Sequence, residues 1–166
     1  MRHTTTTRRR GIARVLSATA LALVATGCGI IDSDGEERQR ELDSARSRWS
    51  AAGLSDYHYV VRQLCFCGFG GVRIDVVVRA GVVVGATMVD GGEVIDVQQQ
   101  PWAAPSIDDL FDRIQGILDE DPHEFSASYD PVLGYPVEMS ADPIENAIDE
   151  EWGVEASGVE ALPPPT

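Results

Sequence analysis

Apolar and polar positions recur with two different periods along the chain, and these periods predict where helices and strands lie. From Glu36 to Ala52 the apolar residues are three or four positions apart, which predicts an amphipathic helix that stops at Gly53. From Tyr57 to Cys67, and again from Val72 to Val78, the period is two, which predicts half-buried strands. The first part of the chain is therefore a helix followed by strands.

A tight turn leads into a third strand. Ala80-Gly81 forms this turn, because glycine accepts the positive φ that two-residue turns require. The return strand runs from Val82 to Met88, and strict alternation places Val82 and Val84 on the same face as Ala86. Three strands joined in this way predict an antiparallel meander.

The second part of the chain has the same order of elements, without convincing sequence identity to the first. A connector with two prolines, 98–105, precedes Ser106, which is a good helix N-cap, and Asp109 is placed to complete a capping box. The acidic run from Asp119 to Pro122 closes this second helix. Its apolar stripe is the strongest in the chain and consists of Ile107, Leu110, Phe111, Ile114, Ile117 and Leu118.

Three more strands complete the predicted fold, over Phe125–Tyr129, Tyr135–Ala141 and Trp152–Ala156. An acidic loop from Asp142 to Glu151, with a helical turn near Ile144–Ile148, separates the last two. The predicted class is α+β, with two helices packed on one face of an antiparallel sheet and the order helix, three strands, helix, three strands. We expect Leu110, Phe111, Ile114 and Leu118 to pack onto the sheet face that carries Val72, Ile74, Val76 and Val78.

The beginning of the chain has the composition of an export signal. A head with five arginines precedes an apolar stretch from Val15 to Thr26, which is well short of the roughly 20 residues that span a bilayer. The ending Ala25-Thr26-Gly27-Cys28 resembles the lipobox of bacterial lipoproteins, in which the cysteine receives a diacylglyceryl group and becomes the first mature residue. Simple secretion is the alternative, and the general secretory and twin-arginine routes are both open.

These features predict four regions: a lipoprotein signal peptide 1–27, a tether 28–35, a single α+β domain 36–160 and a disordered proline-rich tail 161–166. The expected location is the extracytoplasmic face of the cell membrane. The membrane is then a partner through the lipid anchor at Cys28.

The charge balance narrows the range of partners. All 13 basic residues are arginines, against 27 acidic residues, and five of the arginines precede Cys28. The mature surface would therefore repel nucleic acids and anionic lipid headgroups, which excludes a nucleic-acid partner. We expect an unknown envelope protein or ligand instead.

Two cysteines, Cys65 and Cys67, remain once Cys28 carries lipid. In an oxidising compartment they can form a structural disulfide, stay as thiols, act as a redox pair or contribute to a metal site. Residues two apart in a strand have Cα atoms about 6.6 Å apart, near the upper limit of about 6.8 Å for a disulfide. We therefore expect a non-catalytic disulfide that shapes the strand end, with Gly68 absorbing the necessary kink.

The remaining residues form no recognisable catalytic constellation. The mature chain has two histidines, His58 and His123, and no motif for nucleophilic hydrolysis, zinc, phosphate or dinucleotide binding. Its acidic loops offer oxygen ligands but lack the pattern of a calcium-binding loop. The tyrosines and tryptophans are expected in the core. We predict no catalytic residue, no metal site and no cofactor.

Several short motifs together resemble a family of bacterial envelope lipoproteins that is known only as a domain of unknown function. They are Tyr57-x-Tyr59, Cys65-Phe66-Cys67, Ile107-Asp108-Asp109-Leu110-Phe111, Tyr129-Asp130-Pro131, Gly134-Tyr135-Pro136 and Asp149-Glu150-Glu151. The resemblance covers about Trp49 to Val159. It implies an exported, often lipid-anchored, small α+β domain, and it implies no activity. Two hypotheses follow: a non-catalytic binding or interaction module, and an envelope thiol–disulfide protein that uses Cys65 and Cys67.

Overall fold

The predicted order of helix, three strands, helix, three strands is confirmed. The computed structural model describes residues 33–145 and 151–163, so the predicted signal peptide, Cys28, most of the tether and the centre of the acidic loop lie outside the described residues. The elements are α1 (Ser33–Ala52), β1 (Tyr57–Leu64), β2 (Arg73–Arg79), β3 (Val82–Met88), a 3₁₀ turn (Pro101–Ala103), α2 (Ile107–Asp119), β4 (Glu124–Tyr129), β5 (Pro136–Asp142) and β6 (Trp152–Ala161).

All six strands form one antiparallel sheet in the order β3-β2-β1-β6-β5-β4. Each half of the chain contributes a three-stranded meander, and the two meanders join where β1 pairs with β6. The two helices lie on one face, which confirms the predicted α+β class. Among the described residues, no helix is both long enough and apolar enough to cross a membrane.

The helix-covered face of the sheet carries the core. Alternate residues of β1 and β2 point into it, together with one stripe from each helix. The fully buried side chains include Leu42 and Ala45 of α1, Leu110, Phe111 and Ile114 of α2, and Ile74, Val76 and Val78 of β2.

The stripe of α2 is buried in the same core as Ile74, Val76 and Val78, as expected, and the strand closest to α2 is β5. Phe111 stacks at an interplanar angle of 10° on Tyr129 of β4, so the stripe points toward the second meander. The segment before the connector lies beside the first meander. Ile95 is buried there, and its N–H donates to the carbonyl of Ala86 in β3. The stripe of α2 and the valines of β2 thus share one core.

The hairpin between β2 and β3 confirms the predicted turn and corrects the predicted faces. Ala80 and Gly81 have φ of 49° and 76°, as a two-residue turn requires. A bulge beside Val77 and Val78 then shifts the register of β3 by one residue. As a result Val82 and Val84 are 63% and 55% exposed, and Val83 packs against the core in their place.

Two predicted boundaries also move. β1 ends at Leu64, before the two cysteines that alternation had included in the strand. β6 continues through Ala161, which pairs with Tyr57. The N–H of Leu162 then donates to the carbonyl of Asp56 at 2.9 Å, so the last paired strand residue lies just beyond the predicted domain end at residue 160.

Candidate functional site

Gln63 is the polar exception on the inner face of β1, and the structure explains it. Its side chain is only 4% exposed. The Nε2 group donates to the carbonyls of Trp102 at 2.9 Å and Ala103 at 3.2 Å. Because backbone carbonyls buried without a donor are costly, this one amide holds the turn of the connector against the sheet.

The Tyr57-x-Tyr59 motif holds the next part of the connector. The hydroxyl of Tyr57 accepts from the backbone N–H of Ile107 at 3.0 Å, and the hydroxyl of Tyr59 donates to the carbonyl of Pro105. Burial raises the pKa of Tyr57 to about 12 and raises the pKa of Tyr59 well above its usual value. Both phenols therefore stay neutral, and their role is structural.

The start of α2 is fixed in the predicted way. The Ser106 hydroxyl accepts from the Asp109 N–H at 3.1 Å, and the Asp109 carboxylate accepts from the Ser106 N–H at 2.8 Å, which completes a capping box. Trp49 of α1 donates from its indole nitrogen to Asp108 at 3.2 Å. The second half of the connector and the start of α2 are thus fixed by bonds from β1 and from α1.

Residues 65–71 form a tight loop after β1, which we call the cysteine loop. The sulfur atoms of Cys65 and Cys67 lie at bonding distance, and their Cα atoms are 5.3 Å apart, closer than an extended strand would place them. The N–H of Gly71 donates to the carbonyl of Gln63 at 2.7 Å. A side chain at Gly70 would collide with the carbonyl of Cys65. Backbone bonds and close packing therefore fix the loop.

Two large aromatic side chains project from this region. Phe66, between the two cysteines, is 87% exposed, and Trp102 of the connector is 48% exposed. The ring of Phe69 packs on that of Trp102, with centroids 5.4 Å apart, and so links the loop to the connector. We call Phe66, Phe69 and Trp102 the aromatic patch. The expectation that the tryptophans lie in the core is wrong for Trp102, because the 3₁₀ turn points its ring outward.

A cleft of about 300 Å³ adjoins the aromatic patch. On its far side the guanidinium of Arg113 lies 3.7 Å above the centre of the Trp152 ring, a close cation–π contact. Burial lowers the pKa of Arg113. The walls are apolar on both sides and are formed by Pro101, Trp102, Pro105, Leu110 and Trp152, with Asp109 and Arg113 as the charged members.

The Tyr-Asp-Pro and Gly-Tyr-Pro motifs have a structural explanation. The Asp130 carboxylate accepts from the N–H groups of Val132 and Leu133 at 2.9 and 2.6 Å and so closes the turn between β4 and β5. Gly134 has φ of +87°, and a side chain there would collide with the carbonyl of Ala45 in α1. These motifs dock the turn on α1.

His58 lies on the other face of the sheet, between two carboxylates. Its Nδ1 is 3.3 Å from Asp75, and its Nε2 is 3.5 Å from Glu160. In the part of the chain that the structure describes, no three His, Cys, Asp or Glu side chains converge as they would around a metal ion.

Of the three residues predicted for a site, the structure brings Cys65 and Cys67 together, and Cys28 lies outside the described residues. Sequence reasoning missed Trp102 and the anchoring role of Gln63. A buried polar residue at an apolar position of a strand was the visible signal for Gln63. No comparable signal marked Trp102.

The model of one protein family, described as a family of unknown function (DUF6174), matches residues 41–161. No curated protein and no solved structure matches the chain. The matched range contains both helices, apart from the first turns of α1, and all six strands.

Proposed function

The chain belongs to this family of unknown function, and we propose that it is a lipid-anchored extracytoplasmic protein that binds a basic envelope protein through the aromatic patch. The observation that carries the proposal is the exposure of Phe66 and Trp102 on a segment that is otherwise fixed. No step of catalysis is part of this function.

The aromatic patch has the properties of a binding hot spot. Aromatic residues contribute most of the energy at many interfaces, especially where they meet a pocket of the partner. Bonds of Gln63 and Gly71 hold the segments that carry Trp102 and Phe66, so little conformational entropy is lost on binding. The adjoining cleft of about 300 Å³ offers space for a side chain of the partner.

Charge supports a basic partner. Once residues 1–27 are removed, eight arginines face 27 acidic residues. A surface of this sign attracts a basic protein and speeds its association, especially at low ionic strength. Among the acidic residues, Asp109 lines the cleft beside Trp102, and Asp108 precedes it in the first turn of α2.

The membrane anchor is the second part of the proposal. A diacylglyceryl group on Cys28, followed by a tether that ends where α1 begins at Ser33, would hold the domain near the membrane, since two acyl chains give stable anchoring where one does not. Metabolic labelling with palmitate should mark the wild type and leave Cys28→Ser unlabelled. Equal labelling of both proteins would contradict the anchor.

The absence of lysine makes the binding test selective. Carbodiimide couples carboxylates to amines, and the chain has no lysine to react with its own carboxylates or with those of a second copy. Apart from cross-links through the α-amino group of the mature N-terminus, cross-links formed in intact cells would therefore join this chain to lysines of another protein. Mass spectrometry then identifies which carboxylates have reacted.

We expect cross-links at Asp108 or Asp109 in the wild type, and a strong decrease in Phe66→Ala and Trp102→Ala. The matched control is Val132→Ala, which removes a side chain that is 79% exposed in the turn after β4. Its cross-links should equal those of the wild type. A decrease in the control as large as in Phe66→Ala, or no decrease in any variant, would contradict the proposed patch.

A thiol–disulfide function is the second candidate, favoured by the proximity of Cys65 and Cys67 and by the exposure of Cys67. The pair follows a strand, whereas redox-active pairs at a helix N-terminus gain reactivity from the helix dipole. Insulin-reductase activity that disappears in the Cys65→Ser, Cys67→Ser double variant would favour this function. A folded double variant with normal cellular function would exclude it.

A further inference from the structure

Four charged residues form a row across the open face of the sheet, on four neighbouring strands. Arg73 of β2 is opposite Arg62 of β1, Arg62 is opposite Glu155 of β6, and Glu155 is opposite Glu138 of β5. We call these four residues the charge row. Two positive charges thus occupy one half of the row, and two negative charges occupy the other half.

The two central members of the charge row neutralise each other. The Nε group of Arg62 donates to the Glu155 carboxylate at 3.0 Å, and the Nη2 group contacts the same carboxylate. The outer members have no such partner: among the described residues, no side chain bonds to Arg73 or Glu138, and both are exposed. Each outer residue is instead directly opposite a residue of its own sign, which is unfavourable in a sheet.

A twofold rotation makes this row complementary to itself. With the axis parallel to the strands, between two facing sheets and level with the β1–β6 pair, β2 of one copy faces β5 of the other. Arg73 then meets Glu138 of the second copy, and Glu138 meets its Arg73. Interfaces of this isologous kind are the commonest in homo-oligomers, and sheets that pack face to face keep their strands within about 30° of each other.

The shape of the open face is also compatible with this twofold axis. β1 faces β6 of the second copy, and Leu64, which covers the paired Gly153 of its own chain and is 41% exposed, adds an apolar surface close to the axis. A depression of about 240 Å³ beside Arg62 and Arg73 leaves room for side chains of the second copy. Six strands span roughly 25 Å and seven residues of a strand roughly 23 Å. The face therefore covers roughly 600 Å², which approaches the area of about 800 Å² per partner in stable complexes.

We propose that the open face of the sheet is the interface of a twofold-symmetric dimer of this chain, in which Arg73 of each copy pairs with Glu138 of the other. This interface lies on the opposite side of the sheet from the helices. It leaves the aromatic patch available for a different partner.

Two full-length copies with different epitope tags, coexpressed and solubilised from membranes, test the proposal by co-purification. The wild-type copies should co-purify. Arg73→Glu in both copies, or Glu138→Arg in both copies, should reduce recovery at least about tenfold, since each change places two like-charged pairs in the interface. The decisive sample combines one copy carrying Arg73→Glu with one copy carrying Glu138→Arg, because both pairs are then attractive again and co-purification should return.

Three features keep this result interpretable. Restoration in the mixed sample shows that both variants are folded. The two substitutions change the net charge in opposite directions, so a general repulsion between acidic copies would weaken one variant and strengthen the other. Arg40→Glu on α1 is the matched control and should leave recovery unchanged, as should Phe66→Ala, which tests the aromatic patch separately.

The proposal is overturned if the wild-type copies fail to co-purify, if the mixed sample does not recover, or if Arg73→Glu and Glu138→Arg have opposite effects.

Discussion

Alternate residues of β1 meet two different environments, and they use their polar atoms in opposite ways. On the helix-covered face, Tyr57, Tyr59 and Gln63 each bond to backbone groups of the segment 102–107. On the open face, His58 and Arg62 meet only the charged side chains of neighbouring strands.

Within one strand, the difference separates the side chains that position neighbouring backbone from those that lie in the proposed dimer interface. A backbone group moves little relative to its segment, so a side chain that bonds to it fixes the position of that segment. The inward side chains of β1 therefore determine where the connector and the start of α2 lie. An exposed carboxylate is flexible, and water or another protein can replace it at little cost. We therefore expect changes on the covered face to affect folding and changes on the open face to affect association.

The largest expected effect is in the core of the covered face. Ile114→Ala should lower the free energy of unfolding by about 2–5 kcal/mol, because it removes a buried aliphatic side chain and leaves a cavity. Leu64→Ala on the open face should cost less than about 1 kcal/mol, because that side chain is already partly exposed. Denaturation by urea measures both. A loss below about 0.5 kcal/mol for Ile114→Ala would mean that the stripe of α2 is not a core element.

The next effect concerns the amide of Gln63. Gln63→Leu keeps the volume but leaves the carbonyls of Trp102 and Ala103 without their donor, which should cost about 2–3 kcal/mol. The intrinsic tryptophan fluorescence, to which Trp102 contributes, should change as well, because the 3₁₀ turn that carries Trp102 is no longer held by this bond. Arg62→Leu, one residue away on the other face, is the matched control. Equal losses of stability for the two variants would contradict the claim that polar side chains on the covered face contribute more to folding than those on the open face.

Alkaline pH should weaken the covered face selectively. The pKa of Tyr57 and that of Tyr129 are raised to about 12 in the folded protein, against about 10 when unfolded. Above pH 10 the unfolded chain loses these protons first, so stability should fall until pH 12. The decrease should be up to about 1.4 kcal/mol per pH unit for the buried Tyr57 and smaller for Tyr129, which is partly exposed and screened by solvent. The slope should be shallower for Tyr57→Phe. A slope unchanged by that substitution would show that Tyr57 is not responsible.

The smallest effect is expected for the ion pair of the open face. Arg62 and Glu155 are each 39% exposed, and pairs of this kind contribute about 0–1 kcal/mol. Arg62→Ala should therefore change the free energy of unfolding by less than about 1 kcal/mol, and salt should reduce the difference further. A loss above about 2 kcal/mol would mean that the pair is a structural element like Gln63.

Periodicity was sufficient to predict the helices, the strands and their order, because each element buries one regular face. It failed at Val82 and Val84, since a bulge inserts one residue and reverses the faces without leaving a trace in the pattern. The exposure of Trp102 depends on a 3₁₀ turn that is set by contacts with Gln63, far away in the sequence. The position of α2 beside β5 likewise depends on strand order, which no local pattern contains.

The pairing of β1 with β6 also has a consequence for how the domain forms. The centre of the sheet joins β1, the first described strand, to β6, the last. Val61 can therefore pair with Ala156 only after that residue has been synthesised. Contacts between such distant residues form slowly, because a long loop must close before any bond is gained. Until then the edges of β1 and β5, between which β6 inserts, are unpaired and can join other chains. Truncation before Trp152 would leave both edges unpaired permanently, and we expect such a chain to aggregate.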